Sequence, residues 1–254
     1  MLTTLLSAVV FFIIQLIAPH KAKPITNYDK LILVNRYKYN ILEVFSLIPL
    51  FLFVSWICYF VYLLGNDIQH FFTKDRIVDF GIYPSNDFWL VIGLCFGCGL
   101  IIPPMNLLYR ILLQDEYEAY LEYTNRKHGY DGFAILRPLC ALCTAAGICF
   151  SFLGLNWYVE VKENSIILND FFQLQPDQYQ VQDIQSITHY NKILNSKNEE
   201  VERPHYAIVF SNGKTWHTHT SLNTAADTTY EAIVKHLLEK AEVPLIKQKI
   251  DNNW

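Results

Sequence analysis

The 254-residue sequence predicts an α-helical transmembrane bundle of about four spans followed by a small α+β domain. Three observations carry this expectation. Residues 134–155 (AILRPLCALCTAAGICFSFLGL) are apolar almost throughout, and similar runs precede them with polar links between. The hydrophobic share is 52%, with 15% aromatic residues, which is high for a soluble chain and usual for a partly embedded one. Beyond Leu155 the pattern changes to short alternating segments and one amphipathic helix. The chain thus divides into a membrane region over 1–155, a folded domain over 156–246 and a tail over 247–254.

The spans fall near 2–18, 41–64, 88–109 and 134–155. The first is short, with Gln15 near its end. No Lys or Arg precedes it, and the following PHKAKP offers no small-x-small cleavage site, so it reads as a first span, with an interfacial or uncleaved leader segment as the alternative. Segment 41–64 holds one charge, Glu43. Segment 88–109 opens with Trp89 and closes with Tyr109, an aromatic residue for each interface. Pro103 and Pro104 should kink it, because each removes an amide donor and crowds the preceding turn. Segment 134–155 has Arg137 and Pro138 near its start, and Trp157 and Tyr158 just past its end.

Orientation follows from cations in the links. Lys21, Lys23, Lys30, Arg36 and Lys38 lie between the first two spans, and Arg110, Arg126 and Lys127 between the last two. The middle link has only Lys74 and Arg76. The richer links belong in the cytoplasm, so the chain is expected as a multi-pass protein of the inner cell membrane with its C-terminal domain outside the cytoplasm.

Within that domain, 157–161, 165–168, 171–174, 183–190, 205–210 and 215–220 read as strands, and 191–204 as a polar loop. Asn212-Gly213 is a hairpin signal, because a two-residue turn of type I′ needs positive φ at both central residues. Tyr230, Ile233, Val234, Leu237, Leu238 and Ala241 recur at helical spacing, and Pro244 stops the helix. The stretches NSIILNDFFQLQPDQYQVQDIQSITHY, HYAIVFSNGKTWHTHT and TYEAIVKHLL together resemble a bacterial pleckstrin-homology-like (PH-like) domain tethered to transmembrane helices. The resemblance covers about the last two-fifths of the chain and lacks the tryptophan often seen in the closing helix of the eukaryotic family. It implies a β-sandwich or barrel with a C-terminal helix, serving as a binding or scaffolding module.

Four constellations invite a functional reading. Cys95/Cys98 and Cys140/Cys143 form two C-x-x-C pairs, suited to zinc or redox chemistry. Counted from the edges of antiparallel spans, however, the pairs should differ in depth by roughly 10 Å, which favours cysteine as a small packing residue. Gly93 and Gly97 make a G-x-x-x-G, either a dimer seam or packing within the bundle, the latter favoured. His217 and His219 stand two apart on one strand face. With a two-residue turn at Asn212-Gly213, Ile208 faces His217 and Tyr206 faces His219, while His205 points to the other face beside Val209 and Trp216. A three-histidine site is then not expected.

No Gly-rich phosphate loop, G-x-S-x-G elbow or H-E-x-x-H occurs. Residues 156–254 carry 9 Lys+Arg against 13 Asp+Glu, which argues against nucleic acid and against electrostatic binding to anionic lipid. No residue is assigned a catalytic, cofactor-binding or metal-ligating role, and no cofactor is implied. The expected partners are the bilayer, through the spans, and a protein or a second copy of the chain. The expectation is a non-enzymatic membrane protein with an interaction or sensing domain. The alternative is a membrane redox or metal-dependent enzyme using the span cysteines.

Overall fold

The computed structural model describes residues 10, 12–14, 16–19, 28–73, 78–194, 197–218 and 227–251. The chain divides into two compact units, Met1–Leu63 with Leu90–Cys149, and Leu64–Trp89 with Phe150–Trp254.

The first unit is helical. Helix α1 spans Tyr28–Thr73 and is 46 residues long. At 1.5 Å per residue it measures ~69 Å, more than twice a hydrocarbon core of ~30 Å. Its central face exposes Leu47, Ile48, Phe51 and Leu52, as lipid contact requires and water would penalise. After strand β1 (Phe80–Ile82), described below, come α2 (Asn86–Gly99) and α3 (Ile102–Leu113), bent by 46° with α3 continuing to His128. The kink expected from Pro103 and Pro104 lies just before them. Both prolines occupy the first turn of α3, where a missing amide leaves no intrahelical acceptor unsatisfied.

Helix α4 (Tyr117–His128) follows a single turn at Gln114–Glu116 and ends at Gly129, which takes φ of 74° to donate its amide to Asn125 O. Helix α5 covers Gly132–Asn156. Among the described residues two helices, α1 and α5, are long and apolar enough to cross a membrane, and the bent helix pair adds a third if it is one span. The expected span at 2–18 lies largely outside the described residues, as do Lys21, Lys23, Lys74 and Arg76.

The link expected between the last two spans is itself helical. Tyr39 of α1, Tyr109 of α3 and Tyr117, Tyr120 and Tyr123 of α4 form an aromatic cluster with Leu113. Around it lie the ion pairs Lys38–Glu116 (2.8 Å), Arg126–Asp29 (2.5 Å) and Lys127–Glu43 (2.6 Å).

Gly93 and Gly97 let α2 approach α1 within the chain. A Cβ at Gly93 would stand 2.6 Å from Cys58 Cα, and one at Gly97 would stand 2.8 Å from the Val54 side chain. The small-residue seam is therefore used inside the bundle. The depth offset expected between the two cysteine pairs does not hold, since Cys140 Sγ donates to Cys98 O at 3.2 Å. The apolar edges of the segments do not mark the level at which the helices meet. What sets the level is where the helices touch, and Gly99 lies against Thr144 and the Cys140 carbonyl.

The second unit holds two four-stranded sheets, ordered β1-β2-β3-β4 and β7-β6-β5-β8. The first contains β1, β2 (Tyr158–Val161), β3 (Ser165–Asn169) and β4 (Asp177–Gln180), all antiparallel. The second contains β5 (Ile184–Leu194), β6 (Glu200–Phe210), β7 (Thr215–His217) and β8 (Leu245–Asp251). Helix α6 (Asp227–Ala241) precedes β8, and Ile233, Val234 and Leu237 enter a common core with Val161, Ile166, Ile187, Ile208, Phe210 and Trp216.

Four expectations change here. The domain does not begin at 156, because β1 comes from the link between α1 and α2, with Phe80 opposite Val161 and Ile82 opposite Val159. The strand expected at 171–174 is a turn, and the pairing segment is β4 instead. Much of the polar loop at 191–204 is the extended arms of the β5–β6 hairpin, where Lys192 stands opposite Glu202 and forms an ion pair with Glu200 at 2.8 Å. The expected tail supplies most of β8, which runs parallel to β5 with Thr188 opposite Ile246. The helix is accordingly not the last element of the domain.

Candidate functional site

The β6–β7 connection decides which side chains meet. Phe210 N donates to Lys214 O at 2.9 Å, and Gly213 N to Phe210 O at 2.8 Å, closing a three-residue loop of Ser211, Asn212 and Gly213. Gly213 takes φ of 82°, whereas Asn212 is not among the residues with positive φ. A type I′ turn would need both. The register is therefore one residue away from the expected one: Ala207 faces His217 and Ile208 faces Trp216. Side chains alternate faces along a strand, so a one-residue change reverses which face each occupies. Trp216 goes into the core with Ile208, and His217 joins His205 on the opposite face.

Asp251, near the end of β8, completes the group. Strands β7 and β8 are opposite edges of the sheet. Three steps of ~4.8 Å would hold them ~14 Å apart if it were flat. Yet Asp251 Oδ2 lies 3.0 Å from His205 Nε2 and 3.5 Å from His217 Nδ1. The sheet must curl to allow this, and β5 carries irregularities between Ile184 and Ser186 and between Tyr190 and Lys192. Such bulges bend a strand and increase its twist.

The cluster is enclosed. The side chains of His205 and Asp251 are 0% and 1% exposed, while that of His217 keeps 22% and gives the group its contact with solvent. Tyr190 stacks on His205, with ring centroids 5.2 Å apart and planes at 18°. Burial pushes the His217 imidazole below the usual histidine range; the Asp251 charge opposes this and His205 adds to it. Burial raises the Tyr190 phenol, with the Asp251 charge adding.

The tautomer of His205 can be read from its other nitrogen. Nδ1 stands 2.9 Å from Arg203 O, and a carbonyl only accepts, so Nδ1 carries a proton. In the neutral ring Nε2 is then a bare lone pair, directed at a carboxylate oxygen. A proton or a metal cation between these two acceptors would reconcile them. Chemically, the arrangement can store a proton as an imidazolium–carboxylate pair or coordinate a cation. It contains no Ser, Thr or Cys nucleophile.

Of the residues singled out from sequence, His217 and His205 are brought together, and His219 lies outside the described residues. The four span cysteines do not form a metal-ligating group; among the described residues the one cluster of suitable donors is His205, His217 and Asp251. Sequence reasoning missed Asp251 because LIKQKID exposes most of its side chains and lacks a clean alternation. In the helical unit a cavity of ≈ 410 Å³ is walled mainly by apolar side chains, with Glu43, Thr124 and His128 at its lining. No protein-family profile, curated protein or solved structure matches the chain.

Proposed function

We propose that this is a multi-pass membrane protein whose C-terminal domain, PH-like in class, is a non-enzymatic interaction or sensing module. The reading comprises four spans in the inner cell membrane, with the domain outside the cytoplasm. The observation that carries it is the pairing of β1 with β2. One strand of the domain follows α1 directly, and the next follows α5. A partner or ligand that shifts the first sheet would therefore act on two membrane helices at once, as a sensing domain requires.

The same pairing supports the topology. Strands that share a sheet lie on one side of the bilayer, so the chain between Ile82 and Tyr158 crosses an even number of times. Helix α5 supplies one crossing. The bent pair then supplies the other rather than turning back, which favours a broken span over a re-entrant loop. Cations on the first and third links orient the bundle so that this side is the outer one.

The charge balance of the domain, 9 Lys+Arg against 13 Asp+Glu over 156–254, supports a protein partner or a second copy over anionic lipid. Replacing Cys95, Cys98, Cys140 and Cys143 together by alanine tests the non-enzymatic reading. Unchanged accumulation and cellular phenotype are expected. Loss of phenotype at normal accumulation would replace it with thiol chemistry in the spans.

A further inference from the structure

We propose that His205, His217 and Asp251 are the protein ligands of a divalent transition-metal site of zinc type, a property separate from the interaction reading above. Two imidazoles and one carboxylate are borderline donors, suited to Zn²⁺, Co²⁺, Ni²⁺ or Fe²⁺. Mg²⁺ and Ca²⁺ instead favour all-oxygen shells. The three donor atoms lie within 4.8 Å of one another. Ligands ~2.0–2.2 Å from a tetrahedral zinc are ~3.4 Å apart, so the 3.0 Å His205–Asp251 separation must open slightly while the 3.5 Å His217–Asp251 one already fits.

Three further features belong to a metal site more than to a stray surface cluster. The Nδ1 proton of His205 is held by the Arg203 carbonyl, which fixes the ring and leaves Nε2 as the donor. Backbone carbonyls serve this purpose behind metal-bound histidines. Tyr190 stacks on the same ring and limits its rotation. Finally, the partly exposed His217 leaves a route for an ion and a coordination position for water.

The ligands come from β6, β7 and β8, one central strand and both edges of the curled sheet. An ion would therefore fasten the strand that follows α6 to the β6–β7 hairpin. Its binding should stabilise that sheet, because it adds affinity for the folded state alone.

The test is a Co²⁺ titration of the full chain, purified in detergent and stripped with a chelator, read from the visible d–d bands. One equivalent per chain is expected, displaced by Zn²⁺, without thiolate-to-cobalt charge transfer. Asp251→Asn, close in shape, should weaken binding by more than the roughly 10–100-fold that loss of an outer-shell partner costs. His217→Gln, at the more exposed ligand, should do the same if Asp251→Asn fails to fold by far-UV circular dichroism. The quadruple cysteine-to-alanine chain should bind as the parent does. Added Zn²⁺ should raise the melting temperature of the parent and leave that of folded His217→Gln unchanged. The proposal is overturned if the parent shows no saturable cobalt spectrum, which would leave a proton as the shared cation. It is equally overturned if folded His217→Gln binds undiminished, or if binding disappears with the cysteines.

Discussion

Ala207 faces His217 across the β6–β7 hairpin, one residue away from the register that a two-residue turn at Asn212-Gly213 would impose. That single step puts Trp216 into the core and His217 beside His205 and Asp251. Ser-Asn-Gly-Lys suits two loops. In one, Asn and Gly form a primed turn; in the other, a three-residue loop places Gly alone in the left-handed region. Both satisfy the local propensities, so the choice rests on which face buries tryptophan.

The loop makes Gly213 the residue whose φ of 82° excludes a side chain most directly, although nothing lies within 4 Å of a Cβ there. Gly213→Ala should cost roughly 1 kcal/mol from backbone strain alone. Thermal unfolding of the full chain in detergent measures it. An unchanged midpoint would mean that the hairpin takes another turn.

Ile82 lies in the link between α1 and α2, yet it is 2% exposed and belongs to the core of the sheet domain. Ile82→Ala should therefore destabilise that domain by about 2–5 kcal/mol, the range for truncating a buried aliphatic residue. A residue in a solvated loop would change stability by no more than ~0.5 kcal/mol. Denaturant titration followed by the near-UV signal of the domain separates the two.

Gly93 is held against backbone rather than a flexible side chain, so an added methyl has nowhere to go. Gly93→Ala should destabilise the α1–α2 contact by about 1–3 kcal/mol, as overpacking does. Gly132→Ala, where the nearest atom is Asn125 Oδ1 at 4.0 Å, should be tolerated. Melting of both variants in one detergent provides the comparison.

Asp177 pairs with Lys214, and hydrogen bonds first from Lys214 and then from Gln173 hold its carboxyl below the usual range. A depressed carboxylate binds fewer protons in the folded state than in the unfolded one. Its contribution is complete above the unfolded value, about pH 4, and is lost as pH falls through the folded one. Both partners are about one-third exposed, so the loss should not exceed ~1 kcal/mol and should shrink in high salt. Asp177→Asn should flatten this part of the stability–pH curve below about pH 4. A slope equal to the parent's would mean that another carboxylate carries it.

Much of the fold is legible in the residues. The long apolar runs, the helix marked by Ile233, Val234 and Leu237, its stop before Pro244 and the β6–β7 hairpin all follow from periodicity and turn chemistry. What is hidden depends on partners distant in sequence. Phe80–Ile82 is three residues long, too short for any alternation to register, and becomes a strand only because β2 lies beside it. Leu245–Asp251 is a parallel edge strand with five exposed residues in a row, and its role shows only in its ladder with β5. The candidate site inherits both difficulties, since it needs the correct turn and the unsuspected strand together.

The proposed topology puts β1 and the C-terminal domain together on the outer side of the membrane. Epitope tags, one inserted after Pro84 and one appended to Trp254, probed by antibody on spheroplasts with a sealed inner membrane and on permeabilised spheroplasts, test this directly. Both tags should be reached on the sealed spheroplasts. Tags on opposite sides would contradict the β1–β2 pairing and the crossing of the bent helix pair, and both tags reached only after permeabilisation would contradict the orientation.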